Sequence, residues 1–392
     1  MIGSPTGGHV KLDDLSTYAG TRHQFSDRFY MVPLTNTTSV RIFAEVGGGP
    51  DTTYNIYSGS DGGMPGIPQI IQANGRLVNA QKLNSRQTIA LVVGNNYNPD
   101  TGMSSNPQLW LHTFDDSNFG TFPTMVPITN PNQLGTSGNI EATFAPDADG
   151  RIAVAASFEV GTARTRAAYG LYQGASINLT TLAEDPTPDN MRPTALVHVR
   201  GVAGYTFIGQ APQLEFEVKD DGSSPTPPSH RQIMTNQFMI LGNIDTLGKI
   251  NFGAADIGTA LMPKLALYLG QVDPSRAMTF DPASLTLAIN ATSINDVPIG
   301  SLNGFSDDLL YFAGSTGPNG NELSILFLDV LGRTRAAQKL QTTQGRISIA
   351  TITPRGLMGG VGGNYHIAWA ETLVDPTNNK YDVLWYDQIN CQ

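Results

Sequence analysis

The sequence predicts an all-β fold built from a repeated unit. Three observations carry this. Short β-branched and aromatic runs recur along all 392 residues, separated by Gly, Pro, Asn and Asp. No long amphipathic helix interrupts them: the best helical stretch, 253–269, contains Gly258 and Pro263, and its second half reads as a strand. Hydrophobic residues make up 40% and charged residues 14%, which suits a large core and not a disordered chain.

The elements follow in order. A strong strand, a polar turn and a second strand with bulky residues recur at 40–46 with 53–59, 88–94 with 108–114, and 151–160 with 167–174. The pattern continues at 204–209 with 213–218, 264–270 with a weak 277–280, 309–314 with 323–330, and 365–370 with 381–386. The mean spacing is roughly 54 residues, close to that of propeller blades. Residues 76–83, 139–145, 194–201, 249–255 and 346–353 precede hairpins and read as innermost strands. Residues 68–73, 124–129, 231–236 and 336–341 follow them and read as outer strands. Four strands per unit, seven times, predict a single seven-bladed β-propeller of four-stranded antiparallel blades over residues 1–392. The alternatives are six or eight blades, or two β-sandwich domains split near 220–230.

The last hairpin would be marginal alone in water, so it is expected to pack face to face on its neighbours. Residues 9–15 supply its missing outer strand, which makes 1–20 structural. One sign disagrees with a simple repeat. Arg-Thr-Arg-Ala-Ala occurs at 164–168 and again at 333–337, but at different places in the two units.

The letters match no particular propeller family. There is no Trp-Asp ending and no Ser-x-Asp-x-Gly-x-Thr-Trp box. The pairs Gly47-Gly48, Gly62-Gly63, Gly359-Gly360 and Gly362-Gly363 resemble kelch repeats, without the regular Tyr and Trp partners. The resemblance is therefore to the propeller superfold, which implies architecture and leaves function open.

Composition narrows the function classes. Net charge is −10, with seven Lys, sixteen Arg and no basic run, so nucleic acid is not an expected partner. No apolar run approaches a membrane span, and no membrane insertion is expected. The single Cys, Cys391, gives neither an intrachain disulfide nor a Cys metal site. The first fifteen residues lack a basic head and an apolar core, so no secretory signal is read there. The sequons at Asn36, Asn178 and Asn290 are read as chance. A virion is favoured over the cytoplasm as the location.

Motifs for chemistry are sparse. No two of His9, His23, His112, His198, His230 and His366 stand at metal-ligand spacing. The pairs Asp13-Asp14, Asp115-Asp116, Asp220-Asp221 and Asp307-Asp308 are neighbours in sequence. On a strand such neighbours point to opposite faces, so they read as turn formers rather than as a catalytic pair. The acidic stretches 147–150 and 375–382 read as hairpin turns rather than calcium loops. No nucleophile elbow, phosphate loop or dinucleotide fingerprint is present, and no cofactor is expected. Trp110, Trp369 and Trp385 read as filling between blades, with sugar stacking as the alternative.

Function is expected on the long polar turns 95–107, 314–322 and 372–380, which would emerge on one face. Tyr97, Asn98, Asp100, Asn319 and Asn378 are the candidate binding residues. The expected role is a non-catalytic binding or assembly module, favoured as a virion or phage-tail accessory protein within a larger assembly. Its partners would be other protein subunits or a glycan receptor. The alternatives are a lectin or adhesin, or a propeller glycosidase or polysaccharide lyase, for which Glu141, Asp256 and Asp307 would be the acids.

Overall fold

The computed structural model describes residues 2–5, 9–18, 23–34, 39–47, 53–59, 69–72, 75–98, 103–131, 133–134, 140–146, 151–159, 165–185, 192–198, 205–210, 213–219, 229–235, 238–244, 250–259, 262–272, 286–291, 302–306, 309–329, 334–354 and 364–391; between 180 and 312 it describes the backbone alone.

Apart from one short 3-10 turn, the described elements are strands. Two come from the N-terminus, β1 (Ile2–Pro5) and β2 (Val10–Asp14). The next form six four-stranded antiparallel sheets in chain order. The first holds β3 (Phe25–Pro33), β4 (Val40–Val46), β5 (Thr53–Gly59) and β6 (Gln69–Gln72). The second holds β7 (Gly75–Asn84), β8 (Gln87–Asn98), β9 (Met103–Asp115) and β10 (Thr124–Pro127). The third holds β11 (Glu141–Pro146), β12 (Ile152–Glu159), β13 (Thr165–Tyr172) and β14 (Thr180–Asp185). The fourth holds β15 (Arg192–His198), β16 (Tyr205–Gln210), β17 (Gln213–Lys219) and β18 (Ser229–Thr235). The fifth holds β19 (Phe238–Ile244), β20 (Ile250–Thr259), β21 (Met262–Val272) and β22 (Thr286–Ala291). The sixth holds β23 (Leu302–Ser306), β24 (Leu309–Thr316), β25 (Glu322–Asp329) and β26 (Thr334–Thr342).

A seventh sheet unites the two ends of the chain. It is made of β27 (Arg346–Pro354), β28 (Asn364–Val374) and β29 (Lys380–Cys391), with β1 and β2 both laid on β29. The first strands of the sheets touch in a closed circuit: β3 with β7, then β11, β15, β19, β23, β27 and back to β3. This is a β-propeller, and it rules out two separate sandwiches.

Alternating side chains explain why the sheets stack. Along β4, Ile42, Ala44 and Val46 pack with Ala368, Ala370, Leu384 and Tyr386 of the seventh sheet. Phe43, between them in sequence, packs the other way with Leu77, Ala90, Val92 and Phe114 of the second sheet. Every residue of β4 is buried. The hairpin β28–β29 does the same. Ala368 and Ala370 face the first sheet, while Ile367 and Trp369 face Leu323, Ile325 and Phe327 of the sixth.

The N-terminal segment lies along the last strand of the seventh sheet. Val10 lies opposite Tyr386 and Asp14 opposite Val383. The 3-10 turn at Leu15–Thr17 follows, capped by the Asp14 side chain, which accepts from the Ser16 N–H at 3.1 Å. Leu12 and Leu15 are buried at the seam between the seventh and first sheets. The Asp382 N–H donates to the His23 carbonyl at 2.8 Å, and the Asp382 carboxylate accepts from the Phe25 N–H at 2.9 Å.

Two expectations are corrected. The fifth unit was out of register: 249–255 falls on β20, the second strand, and the first strand is β19. Gly258 and Pro263, which argued against a helix over 253–269, face each other at the end of the β20–β21 hairpin, where they fit. The weak second hairpin strand 277–280 lies outside the described residues. The polar stretch 95–107 is also not one loop. Tyr97 pairs with Ser104 and Asn98 with Met103, so β8 and β9 extend well past the sheet body. Backbone pairing needs no apolar side chains, so polarity misled there. The repeated Arg-Thr-Arg-Ala-Ala falls on the third strand of one sheet and the fourth of another, and marks no equivalent positions.

Leu15 ties this seam with a wholly buried side chain. Leu15→Ala is expected to lower stability by about 2–4 kcal/mol in urea unfolding, as for other core leucines, although it lies in a segment before the first complete sheet.

Candidate functional site

Four antiparallel strands return the chain to the side from which each sheet began. The turns between second and third strands therefore share one face with the links between sheets. Asn319 and Asn378 lie on two such turns, in the neighbouring sixth and seventh sheets, and both are exposed.

Each turn is held by its own polar groups. In 375–379 the Asp375 carboxylate accepts from the Thr377 N–H and the Asn379 N–H, both at 2.8 Å, and from the Thr377 hydroxyl at 2.8 Å. The backbone N–H of Asn379, first of these, holds the Asp375 carboxyl below its ordinary value. The carboxylate of the suspected calcium stretch is thus committed to the turn. Asn378 takes the left-handed conformation, φ 69°, which Asn tolerates better than most residues. In the other turn Gly320 has φ 63° and its N–H donates to the Gly317 carbonyl at 3.1 Å.

The link from the sixth to the seventh sheet passes between these turns. Thr343 N–H donates to the Asn321 carbonyl at 2.8 Å and Ile347 N–H to the Gly320 carbonyl at 2.9 Å. On the other side the Gly345 N–H donates to Glu371 Oε1 at 2.5 Å, and Trp385 Nε1 donates to Glu371 Oε2 at 3.2 Å. Gly345 lies so close to β28 that an added Cβ would stand 2.0 Å from the Thr372 carbonyl oxygen. Arg346 follows, its stem under Gly320, where an added Cβ would meet Arg346 Cγ at 3.4 Å.

Asn319 and Asn378 thus lie on turns of the two sheets that this link joins. Among the described residues the side-chain amides of both have no hydrogen-bond partner. Tyr97 and Asn98 stand on the extended β8–β9 hairpin of the second sheet, on the same face. Asp100 lies outside the described residues. Arg346 was not singled out from sequence. A lone arginine opening a strand carries no motif, and its place between the turns depends on the stacking of two sheets.

Most of the other described candidates serve structure. Asp115 forms the expected turn, accepting from the Ser117 N–H at 2.9 Å. Asp116 does something else. It is buried, and accepts from Arg41 Nε at 3.1 Å, from Lys82 Nζ and from the Thr88 hydroxyl at 3.0 Å. The Arg41 guanidinium lies over the Phe119 ring at 4.6 Å and donates to the Asp115 carbonyl at 2.6 Å, which ties the first sheet to the second. Asp13 likewise accepts from the hydroxyls of Tyr18 at 2.9 Å and Tyr57 at 2.5 Å, binding the N-terminal segment to the first sheet.

Of the suspected acids, Glu141 opens the first strand of its sheet, Asp256 falls on a second strand opposite Ala266, and Asp307 lies outside the described residues. The pairs Asp220-Asp221 and Asp307-Asp308 and the stretch 147–150 also lie outside. Trp369 is buried between sheets, as expected, and Trp110 and Trp385 pack against the same kind of core.

The histidines do not converge among the described residues. His9 meets Asp387 at 2.8 Å and His366 meets the Tyr386 hydroxyl at 2.6 Å. The side chains of His198 and His230 lie outside the described residues. His112 Nδ1 meets the Tyr54 hydroxyl at 2.5 Å, and burial pushes its pKa down to about 4.

No family model matches the chain, and no curated protein matches it. Solved structures do. A subtype N11 neuraminidase-like protein from the A/flat-faced bat/Peru isolate is 10% identical with a TM-score of 0.46, over 99% of this chain and 97% of that one. One of two prolyl endopeptidases is 16% identical with a TM-score of 0.48; 94% of this chain matches 48% of it, so the chain spans about half that protein. The catalytic domain of a Coprinopsis cinerea GH62 α-L-arabinofuranosidase is 14% identical with a TM-score of 0.34, over 63% of this chain and 89% of that one. These are likenesses of fold; the closed circuit of sheets carries the assignment here.

Two measurements check this geometry. Gly345→Ala is expected to cost about 2–4 kcal/mol in chemical unfolding, because backbone rather than a movable side chain blocks the added methyl. The second concerns His112. Its folded value of about 4 lies below its ordinary 6.5, so neutral His112 stabilises fully above pH 6.5 and that stabilisation is lost as pH falls toward 4. The span corresponds to roughly 3 kcal/mol. Burial raises the pKa of Asp382 and Glu45, which act in the opposite sense. The readout is therefore the difference between proteins: His112→Gln is expected to lose less stability than wild type between pH 6.5 and 4.

Proposed function

We propose that the chain is a non-catalytic binding and assembly module that contacts protein or glycan through its turn-bearing face. Within that class it is read as a seven-bladed structural accessory subunit of a virion or phage tail. One observation carries the reading. Asn319 and Asn378 are exposed on adjacent turns whose backbone is already fixed by internal hydrogen bonds. Rigid turns lose little entropy on binding, and exposed amides offer both donors and acceptors. The scarcity of Lys and Cys and the richness in Gly, Asn and Thr agree with an assembly subunit.

The test is the mass of the native particle, by light scattering on the purified chain and on material from its source. A large stoichiometric assembly is expected. The double variant Asn319→Ala with Asn378→Ala should weaken it about tenfold or more while leaving the thermal transition near wild type. A chain that stays monomeric in both preparations and binds no glycan on an array would overturn the proposal. So would turnover of a glycan that is abolished by Glu141→Ala.

A further inference from the structure

Because each sheet brings the chain back to the side it started from, the first strands β3, β7, β11, β15, β19, β23 and β27 all begin on the turn-bearing face. They also touch in a circuit, so their beginnings surround one mouth. The first four residues of these strands contain Arg28, Arg76, Arg192 and Arg346, against the acids Asp27 and Glu141. A chain of net charge −10 therefore places an excess of positive residues around this mouth.

The described side chains sharpen this. Arg76 is 42% exposed, and its nearest carboxylate, Glu45, stands 4.0 Å away. Glu45 is buried and already accepts from the Leu77 N–H at 2.7 Å. Arg346 has no carboxylate partner among the described residues. The neighbouring Glu371 is taken by the Gly345 N–H and Trp385. So Arg76 is only loosely paired, through one nitrogen and with a carboxylate already tied to the backbone, and Arg346 keeps its guanidinium for something else.

We propose that this mouth binds an anionic oligosaccharide of the uronic-acid type. The guanidinium forks of Arg76 and Arg346 take carboxylates, and the amides of Asn319 and Asn378, on turns of the two sheets that the link before Arg346 joins, take hydroxyls. An excess of positive residues at the mouth of an otherwise acidic protein also steers such a ligand to the site. The inference rests on the reading of this face as a binding surface. It names the chemistry of the ligand.

The experiment is calorimetric titration of the full chain with hexagalacturonate, with maltohexaose as the uncharged probe and hexaglutamate as the peptide probe. Hexagalacturonate is expected to bind, more weakly as salt rises, and maltohexaose not to bind. Arg346→Gln and Arg76→Gln should each weaken binding about tenfold, and Arg346→Lys should recover part of it. Thermal unfolding of each variant guards against loss of fold. No binding, binding that neither arginine variant alters, or tighter binding of hexaglutamate than of hexagalacturonate would each overturn the assignment. Particle mass reads the assembly role independently. Assembly without saccharide binding therefore removes this inference alone, and saccharide binding without assembly supports it and removes the accessory-subunit role.

Discussion

The sheets whose side chains are described pack apolar residues on both faces, and that constraint governs the rest. Ile42 and Phe43 are neighbours in sequence, yet one needs the seventh sheet and the other the second. A single sheet would leave one of those faces in water, at a cost of about 1.5–3 kcal/mol for each large side chain exposed. A closed circuit gives every sheet two neighbours. The circuit needs one seam, and the chain makes it from its two ends.

The seam is reinforced by polar groups as well as packing. The Asp382 carboxylate reaches the Phe25 N–H and the Thr372 hydroxyl at 2.7 Å. Burial raises its pKa despite those hydrogen bonds, so desolvation outweighs them at this position. Asp13 and its tyrosines act from the outer side. Between the first and second sheets the same part is played by Arg41 and Asp116. The carboxylates of Asp13, Asp116 and Asp382 are thus paired across their junctions, as burial in low dielectric requires.

Closure also places the face where binding is proposed. The link 343–346 is pinned to the sixth sheet through Gly320 and Asn321 and to the seventh through Glu371 and Thr372. Neither contact is local. Asn319 and Asn378 are fifty-nine positions apart in sequence and come to lie in neighbouring sheets only because one sheet stacks on the next. Their turns are stiff for local reasons, since Asp375 and Gly320 do their work within a few residues.

Local pattern therefore determined a good deal here. Alternation and turn residues marked six of the hairpins, the outer strand at 9–15 and the turn at 375–379, because strand pairing and tight turns use near neighbours. The fifth sheet escaped. The stretch 249–255 reads as a strand, but β19 before it was not singled out, so the unit shifted by one strand. Tyr97 and Asn98 escaped for the opposite reason, as polar residues on a strand that needs no core. The arginines at 28, 76, 192 and 346 show no basic run in sequence. Only the return of the chain to the same side before each sheet places them around one mouth, and that return is a property of the closed circuit of four-stranded sheets, which tertiary packing alone decides.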